Sequence, residues 1–277
     1  MTINRREFLK RAYQIGGLAG LYAMGGQNLI NEALAKSTFI SGHMGVAGGV
    51  PGNDSYAKLL IHSNTTDGST TFTDSAVGSS PAHGITASGG IHHEVDQKKF
   101  GTTSIDFGGT GNADYLTIVS HADFDFRDRT VDWTIDFWTY LNSSGTLMYF
   151  LKMSNSIAVD GINFIVNAGS KITFLGTEDG GAWTLNVTDT DNVPLTTWTH
   201  IAVCNDSNVV RLYVNGVQKA TDTLGANLHM VDYWLRFGTH ANNASPFDGY
   251  MDEIRISKGI CRYKNGTTFT PPTGAYT

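Results

Sequence analysis

The stretch Phe247–Ser257, F-D-G-Y-M-D-E-I-R-I-S, decides the fold. Its apolar residues recur with the period of two that a strand imposes. Tyr250, Asp252, Ile254 and Ile256 then share one face, and Met251, Glu253, Arg255 and Ser257 the other. The two isoleucines mark the core side. The spacing therefore predicts a closing strand whose Asp252 faces inward, where an ionised carboxylate is costly unless a cation or several donors satisfy it. Asp252 is the first candidate site residue.

Working outward, short apolar runs of the same kind recur from Lys58–His62 onward, separated by Gly, Asn, Asp or Ser. Thirteen such runs can be read, and at this spacing they imply an antiparallel two-sheet sandwich. The runs Thr199–Cys204, Val209–Val214 and Val217–Thr221 form two hairpins, the second closed by Asn215-Gly216, a pair that readily supplies two positive φ angles. Composition agrees. With 32 glycines in 277 residues and only 16% charged residues, turns and short strands are favoured over helices or disorder. No repeat, heptad or helical period appears. The formal charge of −6 comes with no basic patch to track a phosphate backbone, so nucleic acid is not an expected partner. Cys204 and Cys261 are too few for a disulfide framework; they form one bridge or remain two small buried side chains.

Four stretches together carry a family resemblance. They are Ser104–Ile118, Val131–Trp138, Leu195–Gly216 and Phe247–Pro272, the last with Arg262-Tyr263 and Phe269-Thr270-Pro271-Pro272. In this order they resemble the LamG-like jellyroll, a branch of the concanavalin A-like lectin and glucanase folds, over residues 55–277. The resemblance implies an all-β fold of two packed antiparallel sheets. It fixes no ligand, because the fold hosts lectins, hydrolases, lyases and structural modules.

Ahead of this region, residues 4–10 read N-R-R-E-F-L-K, followed by a mostly apolar run from Ala12 to Met24 and by Ala33-Leu34-Ala35. The order of charged region, apolar region and A-x-A site is that of a signal peptide, and the run is too short for a stable membrane span. Arg5, Arg6, Phe8, Leu9 and Lys10 resemble a twin-arginine translocation signal, with Asn4 departing at the first position. This implies export to the periplasm, the cell surface or beyond, with cleavage after Ala35; an attached amphipathic helix is the alternative. Residues 36–54 read as a Gly-rich linker.

Chemistry is sparse. A retaining glycosidase needs two carboxylates on one face, and glucanase members of the resembled fold carry Glu-x-Asp-x-x-Glu. Here Glu94-Val95-Asp96 continues to Lys99, so the third carboxylate is missing, and no enzyme is expected. His92-His93 reads as a surface loop pair. Calcium, which takes oxygen ligands from loops, is the expected ion: the resemblance implies a site near the chain ends, with Asp74 and Asp252 as candidates and Asp114, inward by period with Leu116 and Ile118, as the third. Alternatively, Asp252 accepts backbone N–H bonds or pairs with Arg255 or Arg262. For a glycan, Asp136, Trp138 and Tyr140 on one face of Val131–Leu141 combine aromatic planes with a carboxylate, although the same residues serve equally as core. Trp183 and Trp234, beside loops, are further ligand candidates. The expected protein is a non-catalytic module that binds a glycan or cell-surface ligand; a self-assembling structural subunit and a polysaccharide-active enzyme are the alternatives.

Overall fold

The computed structural model describes residues 51–108, 114–264 and 268–277. The expected signal peptide, the linker up to residue 50, and residues 109–113 and 265–267 of the resembling stretches lie outside the described residues.

Fifteen strands and one 3-10 turn (Ala122–Phe124) make up the described chain. The first sheet contains β1 (Ala57–Ile61), β3 (His92–Glu94), β4 (Ser104–Asp106), β6 (Trp133–Leu141), β11 (Thr199–Asp206), β12 (Val209–Val214), β13 (Val217–Thr223) and β15 (Gly249–Lys258). Its order is β13-β12-β11-β6-β15-β4-β3, with β1 also paired to β15. The second sheet, in the order β10-β9-β8-β7-β14-β5-β2, contains β2 (Ile85–Ser88), β5 (Tyr115–Ile118), β7 (Met148–Met153), β8 (Ile162–Val166), β9 (Ile172–Gly176), β10 (Leu185–Thr188) and β14 (Leu235–Phe237). All pairings are antiparallel, as the sandwich reading requires. Sequence reading passes over β2 and β3, which are short, polar and flanked by Gly, and so give no apolar period.

The core lies between the sheets. Trp133, Ile135 and Phe137 of β6 point into it and meet the second sheet, with Phe137 5.2 Å from Phe150 and 5.4 Å from Phe164 between ring centroids. Edge and tilted ring packing of this kind adds to the burial of large apolar side chains. The β12–β13 hairpin closes as expected, with φ of 49° at Asn215 and 78° at Gly216.

Residues 52–54 of the expected linker make contacts with the sandwich: the N–H groups of Gly52 and Asn53 donate to the Thr277 carbonyl, and Arg262 clamps Asp54 at 2.7 Å. One expectation changes: the alternation of β15 breaks. Its register against β6 shifts between Asp252 and Arg255, and Glu253 takes φ 51°. Met251, Ile254 and Ile256 all join the core, while Asp252, opposite Trp138, and Arg255, opposite Asp136, face away from it. One inserted residue inverts the pleat. Asp252 is buried, but on the outer face of the first sheet and not on the inner one.

Candidate functional site

The outer face of the first sheet is roofed by the chain's own segments. After β15, residues Cys261–Lys264 and Thr268–Thr277 run across β6, β11 and β12 as a strap. Phe269 donates its N–H to Gly216, Tyr263 stacks on Phe269 at 3.9 Å, and the Tyr213 hydroxyl donates to the Tyr263 carbonyl at 2.8 Å. Beneath the strap, Asp136 accepts two bonds from Arg255, at 3.0 and 2.8 Å, and one from each hydroxyl of Tyr263 and Tyr276. Burial alone would raise the Asp136 pKa, but the Arg255 charge beside it outweighs this and holds the carboxyl well below the usual range.

This arrangement removes the expected aromatic platform. Asp136 is fully buried in the ion pair, and Trp138 is 6% exposed beneath Lys99, whose ammonium sits 3.7 Å from the ring. Tyr140 packs against Trp198 and Tyr250. Trp183 and Trp234 flank strands of the second sheet, so the five candidates do not make one site. Trp183 faces the buried Lys152, whose pKa burial depresses to about 8.

The three carboxylates proposed for calcium are not gathered either. Asp74 spends its oxygens on the N–H groups of Leu60, Ala76 and His83 and on the Ser79 hydroxyl. Asp252 accepts from the N–H groups of Phe100 and Glu253, and Asp114 from that of Gly90. Among the described residues, the groups with metal-ligating spacing are His83/His121/Asp123 and His92/Glu94/Asp106, and neither contains any of the three. The three carboxylates do not fit a shared calcium site.

A different site forms where the bulge meets the end of β1. A cleft of about 580 Å³ opens beside Glu253, bounded by Phe100 on one side and Ala275–Thr277 of the strap on another. The φ of 51° at Glu253 costs about 1–2 kcal/mol for a residue with a Cβ. Neighbours hold it in place: one carboxylate oxygen lies 2.7 Å from His62 Nδ1, and the other accepts the Tyr276 N–H at 2.7 Å. Backbone strain enforced by surrounding contacts is a recurrent feature of functional sites. The rest of the lining is rich in hydroxyls, from Ser63, Thr65, Ser69, Thr71, Thr73 and Ser75, with the amide of Asn64.

A second imidazole lies beneath this wall. His93 Nε2 is 3.0 Å from the Thr71 carbonyl, which can only accept, so this nitrogen carries the proton. Nδ1 then accepts from the Ser63 hydroxyl at 2.6 Å. The ring stacks on Phe72, and burial lowers its pKa, which keeps it neutral. A serine with an adjacent base is half of a nucleophilic apparatus, but here a carbonyl replaces the orienting carboxylate and the Thr103 hydroxyl shares the serine at 3.1 Å. His92 and His93 belong to a strand and not to the expected surface loop, with His92 half-buried and His93 buried.

Sequence reading missed His62, Ser63, His93 and Glu253 as a group. One signal was present: Met251-Asp252-Glu253-Ile254 places two acids between two apolar residues, and both ends can reach one core only through an extra residue.

Residues 110–260 match the family model described as the concanavalin A-like lectin/glucanases superfamily. No curated protein sequence matches the chain. Among solved structures, the binding domain of Paraclostridial Mosquitocidal Protein 1 superposes with a TM-score of 0.60 at 12% identity, over 76% of this chain and 51% of that one. The receptor-binding domain of the botulinum neurotoxin C/D mosaic serotype gives 0.56 at 12% identity, over 74% and 48%. The binding domain of botulinum neurotoxin DC in complex with SialylT gives 0.54 at 11% identity, over 74% and 48%. The chain thus spans about half the length of these neighbours, and the likeness is one of fold. Among the described residues, no helix is long and apolar enough to cross a membrane.

Proposed function

We propose that this chain, which belongs to the concanavalin A-like lectin/glucanases superfamily, is an exported, non-catalytic module that binds a glycan in the cleft beside Glu253. The observation that carries this reading is the lining itself: hydroxyl and amide side chains surround one carboxylate that His62 and the Tyr276 N–H fix in position. Sugar hydroxyls both donate and accept, and a preformed, mostly rigid set of such groups recognises them with little ordering cost. Phe100 offers an aromatic surface at the rim for a pyranose face. The neighbour solved with SialylT supports a polyhydroxylated ligand class. Glu253 is the single acidic side chain of the lining, whereas glycosidic hydrolysis by acid and nucleophile needs two. This favours binding without cleavage.

The test is a glycan array probed with the wild-type chain, Glu253→Gln and His62→Ala. Retained glycans should release no reducing ends, and each variant should weaken retention at least about tenfold, as expected for loss of a charge-assisted hydrogen bond. An array on which the wild-type chain retains nothing would sink the reading.

A second reading, a subunit of a surface assembly, draws on Ile157 and Val231. They are 70% and 66% exposed on loops joined by the Asn155 N–H bond to Asp232. Sedimentation showing only monomer up to high concentration would remove it.

A further inference from the structure

We infer that Cys204 and Cys261 are joined by a disulfide bond that staples the strap to the outer face of the first sheet. Cys204 lies on β11 and Cys261 at the root of the strap. Both are free thiols in this structure, buried, with their sulfur atoms facing each other 2.6 Å apart, about half an ångström beyond a disulfide bond and inside the contact distance of two unbonded sulfurs. They are packed with Ala202 and Tyr213, against which Tyr263 and Phe269 close. Neither cysteine belongs to a group of metal-ligating spacing among the described residues. The Tyr263 carbonyl also lies 3.8 Å from Cys204 Sγ, but two thiols with no third metal-ligating side chain among the described residues fit a bond to each other and not to an ion.

The position gives the bond a purpose. From Cys261 the strap continues through Tyr263, whose carbonyl holds the Tyr213 hydroxyl, and through Thr268, which bridges to Val217. It ends at Tyr276 and Thr277, where the Tyr276 N–H holds Glu253 and the Thr277 carbonyl receives the N–H groups of Gly52 and Asn53. A bond at its root limits how far the strap can lift, and so protects the far end. The partners are 57 positions apart, a separation at which cross-linking removes substantial freedom from the unfolded chain.

Bond formation needs an oxidant, and a low-molecular-weight disulfide such as glutathione disulfide supplies it. One protein thiolate attacks the reagent and releases one glutathione thiolate. The second protein thiolate then attacks the mixed disulfide and releases the other. Two protein thiols and one small disulfide become one protein disulfide and two small thiols, with both electrons passing to glutathione. Because both cysteines are buried, the reaction takes place before the strap docks or during its local opening.

The full chain, equilibrated with glutathione disulfide and then denatured, should show no thiol reactive with an aromatic disulfide reagent. Its intact mass should fall by two hydrogen atoms, and its digest should contain a peptide pair linked through Cys204 and Cys261. Reduction should lower the melting temperature by on the order of 10 °C. It should also speed hydrogen exchange at the Tyr276 amide more than at the β6 amides. Two titratable thiols after oxidation would overturn the bond. Unchanged exchange at Tyr276 on reduction would overturn the stapling role, and Cys204→Ser then serves as a second, independent reduced state. None of these readouts depends on what the cleft binds.

Discussion

Asp252 sits opposite Trp138 with one N–H donor from Phe100 and one from Glu253, too little to offset its burial. Desolvation therefore pushes its pKa up to about 8 from an ordinary 3.8. The sign of the consequence follows. Between about pH 4 and pH 8 the folded chain keeps a proton that the unfolded chain has lost, so this group makes stability fall as pH rises through that window, by up to about 1.4 kcal/mol per unit. Asp252→Asn, which resembles the protonated acid, should flatten that slope in urea titrations and raise stability at pH 8. An unchanged slope would show that the carboxyl is ionised when folded. Asp136 behaves in the opposite way. Its pKa is held down by Arg255, so its contribution is present above about pH 4 and is lost only in strong acid. Arg255→Leu leaves a buried carboxylate unpaired and should cost about 3–5 kcal/mol in chemical denaturation, with Asp136→Leu added to it recovering much of the loss. If the double variant is no more stable than the single one, the cost lies in packing rather than in charge.

At the scale of the element, the bulge of β15 does more than kink a strand. It sends Met251, Ile254 and Ile256 to one side, and it turns Glu253 toward His62 and the strap. Deleting Glu253 would leave Met251 and Ile254 two positions apart, so strict alternation would keep Met251, Ile254 and Ile256 on the core face in unbroken register with β6, at the loss of the carboxylate that holds His62 and the Tyr276 N–H. The expected result is a variant that still unfolds cooperatively, with the near-ultraviolet circular dichroism of the wild type, but no longer retains a glycan. Loss of cooperative unfolding on deletion would mean that the bulge itself is needed to seat β15. The strap is the second decisive element. Sequence patterning marks it only as Arg262-Tyr263 and a Pro-rich end, because its residues satisfy partners on β6, β11 and β12 and carry no period of their own.

Across the whole molecule, the two ends of the described chain close on each other. The Gly52 carbonyl accepts from Arg255, the N–H groups of Gly52 and Asn53 reach the Thr277 carbonyl, and Asp54 pairs with Arg262. A chain beginning at Pro51 should therefore melt higher than one beginning at Ser55, by on the order of 5 °C, since the shorter chain leaves Arg255 and Arg262 short of partners. Equal melting temperatures would return the start of the folded unit to residue 55. The sequence by itself determined the all-β class, the place of most strands, the Asn215-Gly216 turn and the superfamily, since apolar alternation and turn chemistry are local and survive without knowledge of partners. Only the tertiary structure decided which carboxylates matter. Asp136, Asp74 and Asp252 look alike as acids among apolar residues, yet one is paired with an arginine 119 positions away, one accepts from backbone N–H groups and a serine hydroxyl, and one keeps its proton. The cleft unites His62 with Glu253 across 191 positions because a single bulge turns a side chain, and a one-residue change of register is invisible until both faces of the strand have found what they pack against.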